Sequence, residues 1–203
     1  MKFSLKLLFI FAVACSLFSC LGPDVALKPK TSAQVPALAY KKILVEALVP
    51  HPDYKPMLED IFRYYLQEAG VTSTSATEIL DPSKVGNTTY LQERMQHYKI
   101  EAILQIEYQH AAERTLYTPT PKGSWARSWA SQDEDRSYIL KLIDVQTQQT
   151  IWTSEAEVKS IAMLDDNEAD ILSDYSKALA DKTVKALLKS GMIQATGKMF
   201  EGL

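Results

Sequence analysis

Cysteine is nearly absent from this chain: of 203 residues only Cys15 and Cys20 carry a thiol, and both fall within the first twenty. A body without cysteine excludes a disulfide framework and thiolate chemistry there. Glycine is sparse as well, seven residues at 22, 70, 86, 123, 191, 197 and 202, and none forms the clustered loop that cradles a phosphate. The three histidines, His51, His97 and His110, lack the i, i+4 spacing by which two imidazoles on one helix face grip zinc. No metal or cofactor is therefore expected. With 22 Lys+Arg against 25 Asp+Glu, the formal net charge is −3, which removes the basic footprint of a nucleic-acid binder. No apolar run reaches the length of a membrane span. What remains, 46% hydrophobic and 23% charged residues, is the composition of a globular protein.

The amino terminus is unlike the rest. Lys2 and Lys6 form a positive start, and Leu7 to Phe18 follow as an apolar run broken only by small residues. Twelve helical residues rise about 18 Å, well short of the ~30 Å hydrocarbon core. A secretory signal peptide fits this pattern better than a membrane span. Leu17-Phe18-Ser19-Cys20 then resembles the bacterial lipobox, in which an apolar residue at −3 and a small one at −1 precede the cysteine that becomes the new amino terminus. Phe18 departs from the smaller residue usual at −2. Cys15 is the rival site, but it lacks a large aliphatic residue at −3 and would truncate the apolar run. The resemblance implies a signal peptide over 1–19, lipidation of Cys20 and attachment to the bilayer through its acyl chains. Leu21, in place of the aspartate of inner-membrane retention, points to the outer membrane facing the periplasm. Residues 20–39 carry Gly22, Pro23, Pro29 and Pro36 without a sustained period, and read as the lipidated cysteine and a flexible tether.

The body reads as one α/β domain over 40–193, followed by a tail over 194–203. Ile43 to Val49 is a short, almost continuously apolar run, the pattern of a buried strand. Leu58, Ile61, Phe62, Tyr65, Leu66 and Ala69 form one helical stripe, with Pro56 in its first turn and Gly70 where a C′ glycine belongs. Val71 to Ala76 predicts a short strand, and residues 81–87 a loop. A second helix is expected from an N-cap at Thr89 to about His97. Ile100 to Gln109 alternates as a strand, with Ile100, Ala102, Leu104, Ile106 and Tyr108 on one face. Tyr138–Val145 and Thr150–Val158 predict an antiparallel hairpin, and Asp165–Lys189 a long helix ended by Gly191. The order is β-α-β-α-β-β-β-α, a mixed sheet with helices packed on it.

This order behind a lipobox is similar to the small periplasmic domains of envelope lipoproteins. The hairpin Leu142-Ile143-Asp144-Val145-Gln146-Thr147-Gln148-Gln149-Thr150-Ile151-Trp152 resembles the aspartate, turn, tryptophan hairpin of three groups. These are the CsgG-like curli secretion channels, the amino-terminal domain of TolB and the LpoB-type activators of penicillin-binding proteins. The resemblance implies envelope assembly or secretion through protein contacts, with no shared catalytic residues.

Chemical motifs are scarce. Lys189-Ser190-Gly191 matches a triplet of penicillin-recognising enzymes, but no Ser-x-x-Lys supplies a nucleophile. The acidic run from Asp165 to Asp170 has neither the glycine nor the closing glutamate of a calcium loop. One feature stands out: the inserted loop over 111–136, long for a connection inside a domain. It carries Tyr117, Trp125, Arg127 and Trp129, the residue types of interface hot spots. Its two prolines and missing alternation argue against a membrane hairpin. The expectation is a noncatalytic, lipid-anchored envelope protein that binds another protein through this loop, with oligomerisation left open. The alternative is a periplasmic hydrolase or small-ligand binder whose site is assembled from distant residues.

Overall fold

The computed structural model describes residues 23–31, 39–50, 52–109, 136–159 and 168–196. Among these residues a mixed six-stranded sheet forms the centre, with four helices against it. In chain order the elements are β1 (Asp24–Thr31), β2 (Lys42–Leu48), α1 (Tyr54–Glu68), β3 (Thr72–Ser75) and a single turn α2 (Ala76–Ile79). A 3₁₀ turn (Pro82–Lys84), α3 (Thr88–Tyr98), β4 (Ala102–Gln109), β5 (Arg136–Asp144), β6 (Thr150–Lys159) and α4 (Glu168–Lys189) complete it. The spatial order is β1-β6-β5-β4-β2-β3. β2 is parallel to both β3 and β4, and the other pairs are antiparallel.

The expected α/β class and the β-α-β-α-β-β-β-α order are present, with additions. The largest concerns the tether. Asp24–Thr31 is a strand, paired residue for residue with β6 from Asp24↔Lys159 to Thr31↔Trp152. Val25 is buried and Leu27 packs on the core, while Lys28 and Lys30 point to the other face and reach Glu157 and Glu155 at 2.9 and 3.5 Å. Pro29 is compatible with this because β1 is an edge strand, where half the N–H groups face outward. The sheet therefore takes in Asp24–Thr31, residues read from the sequence as part of the tether.

Smaller corrections follow the same logic. Asn87 caps α3, accepting from the Tyr90 N–H at 3.1 Å; Thr89 lies inside the helix. Ile100 precedes β4 and packs with Leu44, Ala76, Ile79 and Met95 in a satellite cluster, because Lys99 turns the chain through a left-handed conformation (φ 52°). The start of the tail is docked, with Thr196 N–H donating to the Ala69 carbonyl at 3.0 Å.

The main core lies between one face of the sheet and α1 with α4. Leu58, Phe62, Leu66 and Ala69, four of the six stripe residues, are fully buried against Ile43, Val45, Leu104 and Leu140 in one cluster with Leu179, Val184 and Leu187 of α4. Gly70 closes α1 at φ 86°, a conformation that costs a residue with Cβ about 1–2 kcal/mol. Beside this core, one acidic side chain among the described residues is fully buried. Glu59 is 0% exposed and accepts from Ala47 N–H (3.0 Å), Ser75 Oγ (2.6 Å) and Thr77 N–H (2.9 Å), with Lys55 Nζ 3.8 Å away. It ties α1 to β2, β3 and α2.

Candidate functional site

Tyr117, Trp125, Arg127, Trp129 and Cys20 lie outside the described residues. What the structure does place is both stems of the loop that bears the aromatic candidates. Gln109 ends β4 and Arg136 starts β5, in adjacent strands whose register pairs Gln109 with Ser137. Ser137 Oγ donates to the Gln109 carbonyl at 3.5 Å. Both stems thus leave the same end of the sheet, the end that also holds Asp24, Lys159 and Leu48.

Directly inside that end the core is closed by tyrosines. Tyr138 is buried in β5, edge-on to Tyr108 of β4 with ring centres 5.5 Å apart. Its hydroxyl lies 3.3 Å from that of Tyr54, which in turn lies 2.8 Å from Ser176 Oγ on α4. Ser176 donates its single proton to the Leu172 carbonyl at 2.7 Å. Tyr54 must then donate to Ser176 and accept from Tyr138, so the chain Tyr138→Tyr54→Ser176→Leu172 is satisfied at every atom. Burial, with the Tyr54 hydroxyl next, pushes the Tyr138 phenol well above the usual tyrosine range. A general acid or base works best with a pKa near the operating pH. The hydroxyl chain ties α1, α4 and β5 together beneath the stems, as a floor. Arg136 adds a cation over the Tyr175 ring, 5.8 Å from its centre.

The opposite end holds the hairpin singled out in the sequence. Asp144 closes the turn by accepting from Thr147 N–H (2.6 Å) and Thr147 Oγ1 (2.8 Å). The Tyr40 hydroxyl donates to its other oxygen at 2.6 Å. Burial pushes the Asp144 carboxyl up, but these hydrogen bonds outweigh it and hold the group below the ordinary carboxylate value. Burial, reinforced by the bond to Asp144, raises the Tyr40 phenol in turn. Gln148 takes the left-handed position of the loop (φ 56°), and the register slips between Leu142 and Ile143, so Ile151 and Trp152 are both buried in succession. Each part of the aspartate, turn, tryptophan motif serves the hairpin and its core.

The remaining sequence candidates find structural roles or fall outside the described residues. Ser190 Oγ donates to the Leu187 carbonyl and Gly191 adopts φ 73°, the end of α4. His97 stacks edge-on to Tyr98 at 4.9 Å; His51 and His110 lie outside the described residues, as does Asp165-Asp166-Asn167. Among the described residues no group of three His, Cys, Asp or Glu side chains is placed to hold a metal ion. No helix there is long and apolar enough to cross a membrane. Sequence reasoning missed β1, the buried Glu59 and the tyrosine chain. The signals existed: Val25 and Leu27 alternate with Ala26 and Lys28, and Glu59 stands i−3 from Phe62 and i−7 from Leu66.

No family model matches the chain, and no curated protein does either. Among solved structures it is similar to the PelC dodecamer of Paraburkholderia phytofirmans, at 14% identity and a TM-score of 0.49, over 84% of this chain and 99% of that one. A substituted form of the same dodecamer gives 16% and 0.48, over 85% and 99%. A PDZ domain protein from Parabacteroides distasonis gives 11% and 0.42, over 85% of this chain and 38% of that one. Likeness at this level carries no argument about function.

Proposed function

We propose that the chain is a noncatalytic, lipid-anchored lipoprotein of the bacterial envelope, facing the periplasm from the outer membrane and acting by binding another envelope protein. The observation that carries this reading is Leu17-Phe18-Ser19-Cys20 directly behind a positive start and a twelve-residue apolar run. Only the Cys20 thiol can take the lipid at that position. Partner binding is supported by the inserted loop, whose stems leave one end of the sheet side by side above a tyrosine floor. Between the stems the sequence concentrates Tyr117, Trp125, Arg127 and Trp129. Rigid aromatic plates with polar edges bind at low entropic cost, and such residues dominate interface energetics.

The test is a paired measurement on the full chain in bacterial membranes. Metabolic labelling with an acyl-chain probe is expected to mark the wild type and Cys15→Ala but not Cys20→Ala. Crosslinking followed by co-purification is expected to lose the partner in the Trp125→Ala/Trp129→Ala double variant, by at least about 2 kcal/mol, the hot-spot threshold. Thermal unfolding of that variant is expected to stay unchanged. Label on Cys20→Ala and none on Cys15→Ala moves the anchor to Cys15. Lost stability with unchanged partners places the indoles in the core.

A further inference from the structure

The strand found within the expected tether limits how far a lipid on Cys20 could stand from the sheet. Only Leu21, Gly22 and Pro23 separate Cys20 from Asp24, the first residue of β1. Four Cα steps reach about 14 Å at full extension. The strand cannot easily be spent to lengthen this link, because eight consecutive residues pair with β6 and Val25 is buried. Asp24 sits at a defined place. Through the register it shares one end of the sheet with Leu48, Gln109 and Lys159, the carboxyl ends of β2, β4 and β6, and with Arg136, the start of β5. The opposite end, with the Asp144–Thr150 turn, lies a whole strand away, about 30 Å for nine or ten residues.

We propose that the Asp24 end of the sheet faces the lipid headgroups and that the hairpin turn is the membrane-distal pole. The proposal rests on lipidation of Cys20. The β1 edge pairs Glu155 and Glu157 with Lys30 and Lys28 and presents none of the exposed large apolar side chains of the described surface. The Asp24 end presents Leu48, 42% exposed and among the few large apolar side chains on the described surface. In this pose the loop stems also leave from the membrane-facing end, so the partner would be met close to the bilayer.

The mature chain has no thiol apart from lipidated Cys20, so single cysteines can be introduced and labelled. The experiment attaches a fluorophore to Lys159→Cys, Leu48→Cys, Thr31→Cys or Gln149→Cys in the full lipoprotein. The proteins are reconstituted in phosphatidylethanolamine/phosphatidylglycerol vesicles carrying a headgroup nitroxide quencher. Quenching at 159 and 48 is expected to exceed that at 31 and 149 several-fold. A twenty-residue Gly/Ser insertion between Gly22 and Pro23 is expected to level the four positions while the protein still floats with the vesicles. Equal quenching without the insertion overturns the orientation and leaves the anchor intact. Strong quenching at 159 and 31 with none at 48 also overturns it, in favour of the edge. Failure of the wild type to float overturns the anchor itself, and the orientation with it.

Discussion

The two faces of the sheet solve different problems. One is covered by α1 and α4 and buries a continuous apolar surface from Val25 on β1 to Ile43, Val45 and Ala47 on β2. Among the described residues the other is covered only at β2 and β4, where α2 and α3 bring Ile79 and Met95 over Leu44 with Ile103 alongside. Toward β5, β6 and β1 that second face is charged, with Lys141–Glu107, Lys28–Glu157 and Lys30–Glu155 pairs crossing between strands. The difference is written in the strands. β2, buried on both faces, reads as a continuous apolar run, whereas β5 and β6 alternate because one side meets water. Stability should therefore reside on the helix-covered face, and the charged face should be nearly neutral to substitution.

The largest test of that contrast is Phe62, fully buried at the centre of the α1 stripe. Phe62→Ala is expected to cost about 3–5 kcal/mol in a denaturant melt, through lost transfer energy and the cavity left behind. A near-neutral result would move the core to the other face.

An intermediate effect is expected at the margin of the covered face. Alternation along β5 places Asp144 in the row of Tyr138, Leu140 and Leu142, but at the sheet end, where its carboxylate takes three hydrogen bonds. Asp144→Ala is expected to cost about 1–3 kcal/mol, since it strands the Thr147 and Tyr40 donors. The carboxyl is held below its unfolded value of about 3.9. Its contribution is therefore complete above that pH and lost as pH falls through the lower folded value. Tyr40 works in the opposite sense: its raised phenol gives a contribution complete below about pH 10 and lost as pH rises further. Urea melts at pH 3 and pH 7 check this, and the gap between wild type and Asp144→Ala should narrow at the acid end.

The contrast also explains what could be read from the residues alone. The α1 stripe, the β4 alternation and the β5–β6 hairpin were legible because each buries one face against a large neighbour, and burial imposes a period. β1 was not. As an edge strand it buries only Val25 with Leu27 beside it, and Pro23 and Pro29 mask a period that short. Glu59 was hidden for a chemical reason: a glutamate on an amphipathic helix normally marks the solvent side, and here backbone and hydroxyl donors from β2, β3 and α2 replace water. The tyrosine floor draws on α1, β4, β5 and α4, so no local window contains it. Of the candidate site, residue types were legible in the inserted loop; that its stems share an end with Asp24 needed the strand register.

The smallest effect belongs to the charged face. Lys141 Nζ lies 2.7 Å from Glu107 Oε2, the shortest of the three cross-strand pairs, with the side chains 33% and 36% exposed. A pair so open to water pays side-chain ordering for a Coulomb term that solvent weakens, and measured pairs of this kind contribute about 0.2–1 kcal/mol. Lys141→Ala is expected to lose no more than that at low salt. The loss should shrink further at 0.5 M salt, about where screening acts over a few ångströms. Guanidinium would itself screen the pair, so the measurement is a urea melt of both proteins at the two salt concentrations. A loss above about 2 kcal/mol that salt does not change would mean that this face is covered at Lys141, and the asymmetry between the two faces would fail there.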